Sequence, residues 1–359
     1  MTFLSLLEVE ALARERLPGP VYDYYAGGAG DEITLAENRR SFERRALFPR
    51  MLVDVSRRNL RVSLPGADSA APIVVAPMAF QRLAHPDGEL GTARAAGSQG
   101  LIMTASTFST CSLEEIAAGA PGPLWFQLYV HQDRPITRDL VQRAEAAGYR
   151  ALVLTVDVAE IGRRERDERN SFRLSPDLRL ANFDPAHSDS MREGEAGSRL
   201  RAFVHGMRDA SFSWRDLEWL ASLSRLPLII KGILRADDAR RAVEHGAAGI
   251  VVSNHGGRQL DTAVASLDAL PAIAQAVAGQ AVVLMDGGVR RGTDIIKALA
   301  LGARAVLVGR PVLWGLAVAG QEGAARVLEL LRNELDLAMA LSGTPALADI
   351  TRDLVDGPA

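Results

Sequence analysis

Short apolar runs recur between residues 73 and 308, and this recurrence constrains the fold more than any other feature of the chain. The runs are Ile73–Ala76, Leu101–Thr104, Leu124–Tyr129, Ala151–Val156, Leu228–Ile230, Gly249–Val252, Ala281–Met285 and Ala305–Val308. Most contain no polar residue, as expected of parallel strands covered on both faces. Segments with helical periodicity separate them, among them Gly88–Gln99, Thr137–Ala147, Ala236–His245, Ser266–Ala278 and Gly292–Leu301. Eight strand-then-helix units predict one α/β domain over 1–359, a (β/α)8 TIM barrel. A doubly wound sheet is the alternative, but the count of eight and the lack of an early Gly-x-Gly-x-x-Gly turn oppose it.

Two segments fall outside the repeat. Residues 1–70 predict an N-terminal helical extension, with helices over Leu4–Leu17 and Asp31–Arg45, a Tyr22, Tyr24 and Tyr25 cluster between them, and an extended connector over Arg50–Leu64. The interval between the fourth and fifth runs is too long for a simple connection. Within it Ser175–Phe212 is polar and mixed in charge, and predicts a lid loop after strand 4, over the active face. A net charge of −3 gives no support for a nucleic-acid partner. No apolar run approaches the roughly 20 residues of a membrane helix, and no basic-then-apolar signal pattern opens the chain. The one cysteine, Cys111, excludes an intrachain disulfide. A cytoplasmic protein without a membrane partner is the expectation.

In such barrels the chemistry sits at the C-terminal ends of the strands. Those ends read Met78 and Ala79, Ser106 and Phe108, Gln127 and Tyr129, Thr155 and Asp157, Lys231, Ser253 and His255, Asp286, and Gly309 with Arg310. Residues two apart share one face of a strand, so these side chains converge on the barrel mouth. One buried polar residue is ordinarily a satisfied core group. A polar residue at nearly every strand end is hard to explain by packing, because each costs desolvation unless paired. The densest stretch is Ser253-Asn254-His255-Gly256-Gly257-Arg258-Gln259-Leu260-Asp261. A polar surface loop would carry such residues equally well. At a strand end, however, it sets a proton acceptor three residues from a guanidinium fork that matches a carboxylate.

The turn Asp286-Gly287-Gly288-Val289-Arg290-Arg291-Gly292 opens a helix, and Gly309-Arg310-Pro311 ends the next strand. Loops after strands 7 and 8 are the recurrent phosphate site of this fold. Arg290 and Arg310 would supply charge, with Arg291 solvated. Lys231 ends an apolar strand and needs an anion or a role. It could form a Schiff base or stabilise negative charge on a cofactor. The six histidines show no metal-ligand spacing, so no metal is expected.

Six segments together resemble one family. They are Val21–Ala26, Leu35–Arg39, Phe126–Tyr129, Leu154–Asp157, Ser253–Asp261 and Asp286–Arg290, and the likeness runs from about Leu6 to Ile350. The family is that of the FMN-dependent (S)-2-hydroxy acid oxidases, which includes glycolate, lactate and mandelate-oxidising enzymes. The resemblance implies bound FMN, a small 2-hydroxy acid substrate, and O2 reduced to H2O2. It implies His255 as the base, Asp157 as its partner, Arg258 and Arg164 with Tyr24 as the carboxylate clamp, and Tyr129 on the substrate hydroxyl. Lys231 becomes the cation beside flavin N1 and O2, in place of a Schiff base. Ala79, Ser106, Gln127, Thr155 and Ser253 would contact the flavin; Asp286, Gly288, Arg290, Gly309 and Arg310 lie with its phosphate loops. A homo-oligomer, tetramer or octamer, is implied as well.

Departures from the pattern refine this. Glycolate oxidases carry a small hydroxyl residue and a tryptophan where this chain has Met78 and Phe108, which favours lactate or a somewhat larger side chain. The strand-4 loop lacks the apolar segment of membrane-bound mandelate dehydrogenases. No haem domain precedes the barrel, and Ala79 stands where monooxygenase members have glycine; both favour oxygen as acceptor and peroxide release. The alternatives are a glycolate or mandelate-type oxidase, another phosphate-site barrel such as a flavin-dependent isomerase, and a barrel that only binds a ligand.

Overall fold

The structure, a computed structural model, describes residues 3–174, 177–183 and 208–356. The strands are β1 (Ile73–Val75), β2 (Ile102–Ala105), β3 (Leu124–Leu128), β4 (Leu152–Thr155), β5 (Leu228–Ile233), β6 (Gly249–Val252), β7 (Val282–Asp286) and β8 (Ala305–Val308). Each pairs in parallel with its successor, and β8 closes on β1 with Val308 opposite Val75. The predicted barrel is the observed one.

Alternation along these strands sorts side chains into two layers. Ile73, Met103, Phe126, Leu154 and Ile230 pack outward beneath the helices. Val74, Ile102, Trp125, Val153, Ile229, Val251, Leu284 and Leu307 form a separate buried cluster, the barrel interior. Val62 and Leu64 join that inner cluster from a short antiparallel hairpin, Val62–Leu64 with Ala67–Ser69. The Trp125 indole donates to Pro65 O at 3.1 Å, so the hairpin plugs the bottom of the barrel. Part of this hairpin falls within the predicted extended connector. One step further up the inner face the residues turn polar: Thr104, Gln127, Thr155, Lys231, Ser253 and Asp286, all buried. Between Lys231 and Ile233 the β5–β6 register slips, a bulge of the kind that re-aims side chains beside sites.

The N-terminal extension holds α1 (Leu6–Arg16), α2 (Gly19–Ala26) and α3 (Ile33–Glu43). The Ser5 hydroxyl caps α1 by accepting from Glu8 N. The start of α3 is capped from across the molecule: the Asp261 carboxylate accepts from the N–H groups of Asp31 (2.9 Å), Ile33 (3.3 Å) and Thr34 (2.8 Å). Two glycines let α3 lie directly against the strand-end loops. A Cβ on Gly257 (φ 74°) would fall 2.6 Å from Leu35 N, and one on Gly288 (φ 86°) would fall 2.1 Å from Asn38 O. Asn38 and Asn254 exchange reciprocal amide hydrogen bonds of 2.9 and 2.8 Å. The last α-helix, Arg310–Ser342, is long and kinked at Ala319–Gly320.

The expected lid, 175–212, lies mostly outside the described residues. Its described parts are tied down. Asn182 Nδ2 donates to Ser106 O (3.2 Å) and Thr107 O (3.0 Å), and Asp209 N donates to Val130 O (3.1 Å). Among the described residues no helix is long and apolar enough to cross a membrane.

Gly288→Ala should destabilise the fold by about 3 kcal/mol, since neither the left-handed backbone nor the Asn38 carbonyl can give way cheaply. Chemical denaturation reads this, and an unchanged midpoint would show that α3 is not seated on the β7 turn.

Candidate active site

The polar strand ends open into one cavity at the C-terminal mouth of the barrel. At its centre β6 ends in Ser253 and then His255, whose backbone is left-handed (φ 59°) and whose N–H donates to Ser253 Oγ at 3.0 Å. The same hydroxyl accepts from Lys231 Nζ at 2.9 Å, and Lys231 pairs with Asp286 at 3.1 Å. One serine thus ties a base to a cation. His255 Nδ1 meets Asp157 Oδ1 at 2.8 Å. An ionised carboxylate only accepts, so Nδ1 carries the hydrogen and Nε2 is left as the free acceptor.

Burial pulls His255 below its ordinary pKa; the charge of Asp157 pulls the other way, and that of Lys231 adds to the lowering. Burial pushes Asp157 up, but His255 and Lys231 outweigh it and hold the carboxyl below its ordinary value. Burial also opposes charge on Lys231, yet Asp286 and Asp157 raise it above the usual lysine value. A Schiff base needs a neutral amine, so the Schiff-base alternative for Lys231 does not fit its surroundings. The pocket presents a neutral base, an ionised partner and a fixed ammonium.

The wall towards the N-terminal extension is cationic. Arg258 Nη1 donates to Tyr24 O (2.6 Å) and Gly27 O (2.9 Å). Arg310 donates to Tyr25 O (2.9 Å), Gly256 O (2.9 Å) and Gly27 O (3.0 Å). Most of these carbonyls are the unsatisfied C-terminal groups of α2, a favourable place for cations. Neither arginine has a carboxylate partner among the described residues. Burial, reinforced by neighbouring guanidinium groups, draws Arg258 down to about 10 and Arg310 to about 9. Such groups call for anions from outside the chain. The Tyr24 ring lies under Arg258 (5.1 Å) and Arg164 (6.0 Å) and stacks on Phe172 at 4.4 Å. Burial raises the Tyr24 phenol despite both arginines, so its O–H remains a donor.

The lining also fits a flat, polar-edged cofactor with a phosphate. Gln127 Nε2, Thr155 Oγ1 and Asp286 Oδ1 are buried without a protein partner. The Gln127 carbonyl oxygen accepts from Ser106 Oγ (3.3 Å) and Thr107 N (3.2 Å), which commits its NH2 to the cavity. A ring edge carrying both donors and acceptors would satisfy these orphans. On the β7 and β8 loops Gly288, Arg290, Gly309 and Arg310 surround one end of the cavity.

The structure brings together Met78, Ala79, Ser106, Phe108, Gln127, Tyr129, Thr155, Lys231, His255, Asp286, Gly288, Arg290, Gly309 and Arg310 as lining. Tyr24, Arg164 and Arg258 join them from outside the strands. Asp157 and Ser253 are not in the wall; they stand behind it, bonded to His255 and Lys231. Sequence reasoning missed Val158, Ile161 and Arg208, which also line the cavity. Arg208 follows strand 4 by more than fifty residues, so no strand-end pattern marks it.

The C2–H resonance of His255 should titrate below the ordinary value of about 6.5, and lower still in Asp157→Asn, since the carboxylate is what favours its proton. NMR titration of the protein checks this, and a midpoint at or above the ordinary value would contradict the neutral-base assignment.

Comparison with known proteins agrees with this geometry. Residues 13–357 match the FMN-dependent dehydrogenase family. The chain is 58% identical over 351 residues to an L-lactate oxidase of Nostoc sp. (strain PCC 7120 / SAG 25.82 / UTEX 2576), covering 97% of this chain and 96% of the relative. It is 50% identical over 351 residues to glycolate oxidase 5 of Oryza sativa subsp. japonica, covering 98% and 95%. The crystal structure of a mandelate oxidase with (S)-4-hydroxymandelic acid superposes with a TM-score of 0.95 at 46% identity, covering 99% of this chain and 98% of that one.

Proposed function

This chain belongs to the FMN-dependent dehydrogenase family, and from that premise we propose that it oxidises an (S)-2-hydroxy acid to the 2-oxo acid while O2 is reduced to H2O2, favouring lactate or a somewhat larger side chain over glycolate. The observation that carries this is the pairing in one cavity of a free His255 Nε2, with Nδ1 held by Asp157 at 2.8 Å, and an Arg258 fork without a carboxylate of its own. A base beside an unmet guanidinium suits the removal of a proton next to a captured carboxylate.

Bound FMN supplies the two-electron acceptor of the reaction and the link to O2. The chain's residues do the rest. Arg258 and Arg164 fix the substrate carboxylate, with the Tyr24 hydroxyl as a further donor. Tyr129 bonds the substrate hydroxyl. His255 takes a proton at Nε2, and Asp157 stabilises the resulting imidazolium. Lys231, anchored by Asp286 and Ser253, would present a fixed positive charge to the cofactor. Ala79, Ser106, Gln127 and Thr155 would border its ring, and Gly288, Arg290, Gly309 and Arg310 would hold its phosphate.

Met78 and Phe108 face the substituent on the substrate Cα. Phe108 is buried against Phe80 (6.3 Å) and Tyr129 (5.3 Å), an apolar wall that a hydrogen atom cannot use. One methyl there is worth roughly 0.8 kcal/mol, about four-fold in specificity. The likeness to a mandelate oxidase structure and this aromatic wall favour, as a second reading, an aromatic 2-hydroxy acid. We also propose a single domain and a homo-oligomer, tetramer or octamer. Support for the latter comes from exposed Met51, Leu52, Leu337 and Leu341, neighbours where Arg50 N bonds Ser342 O at 3.0 Å. A cytoplasmic setting suits the single thiol, Cys111, which is buried and raised to about 11.

Peroxide production from glycolate, lactate, 2-hydroxybutyrate, 2-hydroxyoctanoate and mandelate tests the substrate reading, with glycolate as the best substrate the refuting outcome. Arg258→Lys should lower kcat/KM by at least about ten-fold, because a point charge cannot replace a fork; an unchanged value would remove Arg258 from the clamp. The pH profile has a worked sign. The base acts neutral, so kcat/KM is full above the lowered pKa of His255 and lost as pH falls through it. An acid limb that persists unchanged in His255→Gln would place the base elsewhere.

A further inference from the structure

We infer that Arg208 forms a second anion site in the cavity, one that receives a carboxylate at the far end of the substrate side chain, so that short dicarboxylic 2-hydroxy acids are substrates. This rests on the oxidase reading above and names a substrate class for the same site.

Arg208 is 7% exposed and lines the cavity. Its guanidinium carbon stands 3.9 Å from the centroid of the Tyr129 ring and 5.9 Å from that of Phe108, the two rings that border the side-chain compartment. One donor is spent on Val158 O at 2.7 Å, while Nε is buried without a partner. No carboxylate pairs with Arg208 among the described residues. The adjacent acid, Asp209, is turned away to Arg134 at 2.7 Å.

The other cations around the cavity are accounted for. Lys231 has Asp286 at 3.1 Å, and Arg164 has Asp167 at 3.9 Å. Arg290 and Arg310 belong to the phosphate end. Arg258 and Arg164 take the substrate carboxylate. Among the described residues Arg208 is left with a buried charge and no paired carboxylate, Asp157 acting on it only from beyond ion-pair distance, which is unfavourable. Tyr129 meets the guanidinium with its ring and its hydroxyl, and neither brings a negative charge. A carboxylate is the group whose geometry matches the guanidinium edge. Burial lowers the Arg208 pKa, the direction an arriving anion would reverse. The competing account makes Arg208 a prop for the Tyr129 ring and nothing more.

The test uses the holoenzyme and matched pairs that differ only at the far end. Calorimetry gives dissociation constants for 2-oxopentanoate and 2-oxoglutarate, which are not oxidised. Steady-state kinetics gives kcat/KM for (S)-2-hydroxypentanoate, (S)-2-hydroxysuccinate and (S)-2-hydroxyglutarate, with lactate as reference. The parent should bind 2-oxoglutarate at least as tightly as 2-oxopentanoate and oxidise at least one dicarboxylate. In Arg208→Met the ratio of the two affinities should shift about 10–100-fold against the dicarboxylate, the scale of a charge-assisted hydrogen-bonded pair. Arg208→Lys, which keeps charge and most of the volume, should recover part of it. An unchanged ratio in Arg208→Met, or a parent that oxidises lactate but neither binds nor oxidises a dicarboxylate, overturns the site. If the affinity ratio shifts as stated but no 2-hydroxy acid is oxidised, the oxidase reading fails and the anion site stands.

Discussion

Inside a closed parallel barrel every inward side chain must be packed or paired, and the whole site follows from that constraint. From the bottom up the interior is Val, Ile, Trp and Leu, plugged by the Val62–Leu64 hairpin. One level higher the same inner face carries Gln127, Thr155, Lys231, Ser253 and Asp286. Water cannot enter freely at that depth, so these groups pair with one another or wait for a ligand. Lys231, Ser253 and Asp286 pair, and Ser253 also fixes the His255 backbone. Gln127 Nε2 and Thr155 Oγ1 remain open. The division between the two groups marks which part of the layer is scaffold and which part is seat.

The N-terminal extension is part of that seat rather than an appendage. Its second helix ends with carbonyls that hold Arg258 and Arg310, two guanidinium groups that burial would otherwise disfavour. Its third helix lies on Gly257 and Gly288, and the Asn38–Asn254 pair locks it to the strand-6 loop. Arg39 bonds the Gly288 carbonyl and pairs with Asp294 at 2.7 Å. The two glycine-rich motifs that carry His255 and Gly288 are therefore positioned by one helix far away in sequence. A change in residues 31–45 reaches both halves of the site at once.

How much of this was legible in the sequence follows from the range of the interactions. All eight strands and most of the helices between them show in the period of apolar residues, and the strand-end rule gathers the cavity lining. The base and the arginine three residues on share one short stretch. What escaped depends on contacts between distant segments. The hairpin strands are three residues each, too short for a period. The last α-helix, Arg310–Ser342, is buried on many sides and broken at Ala319–Gly320, so it shows no clean polar face. Asp157 and Ser253 share the strand-end pattern with the lining residues, yet stand one layer behind it because other side chains cover them. Arg208 lies in a loop whose path no pattern encodes.

The charges in the cavity set one another. Burial alone would make both His255 and Lys231 neutral. Asp286 and Asp157 keep Lys231 charged, and that charge, with that of Arg164, then holds His255 down. The free protein consequently carries a weak base. Under the function proposed above, a carboxylate seated on Arg258 and Arg164 would offset the like charge that Arg164 places on His255, and the imidazole would hold a proton more readily. Basicity would then rise with the occupancy of that proposed clamp. The coupling needs no movement of the chain. It requires only that Arg258 lack a carboxylate partner among the described residues, which the α2 carbonyls make tolerable.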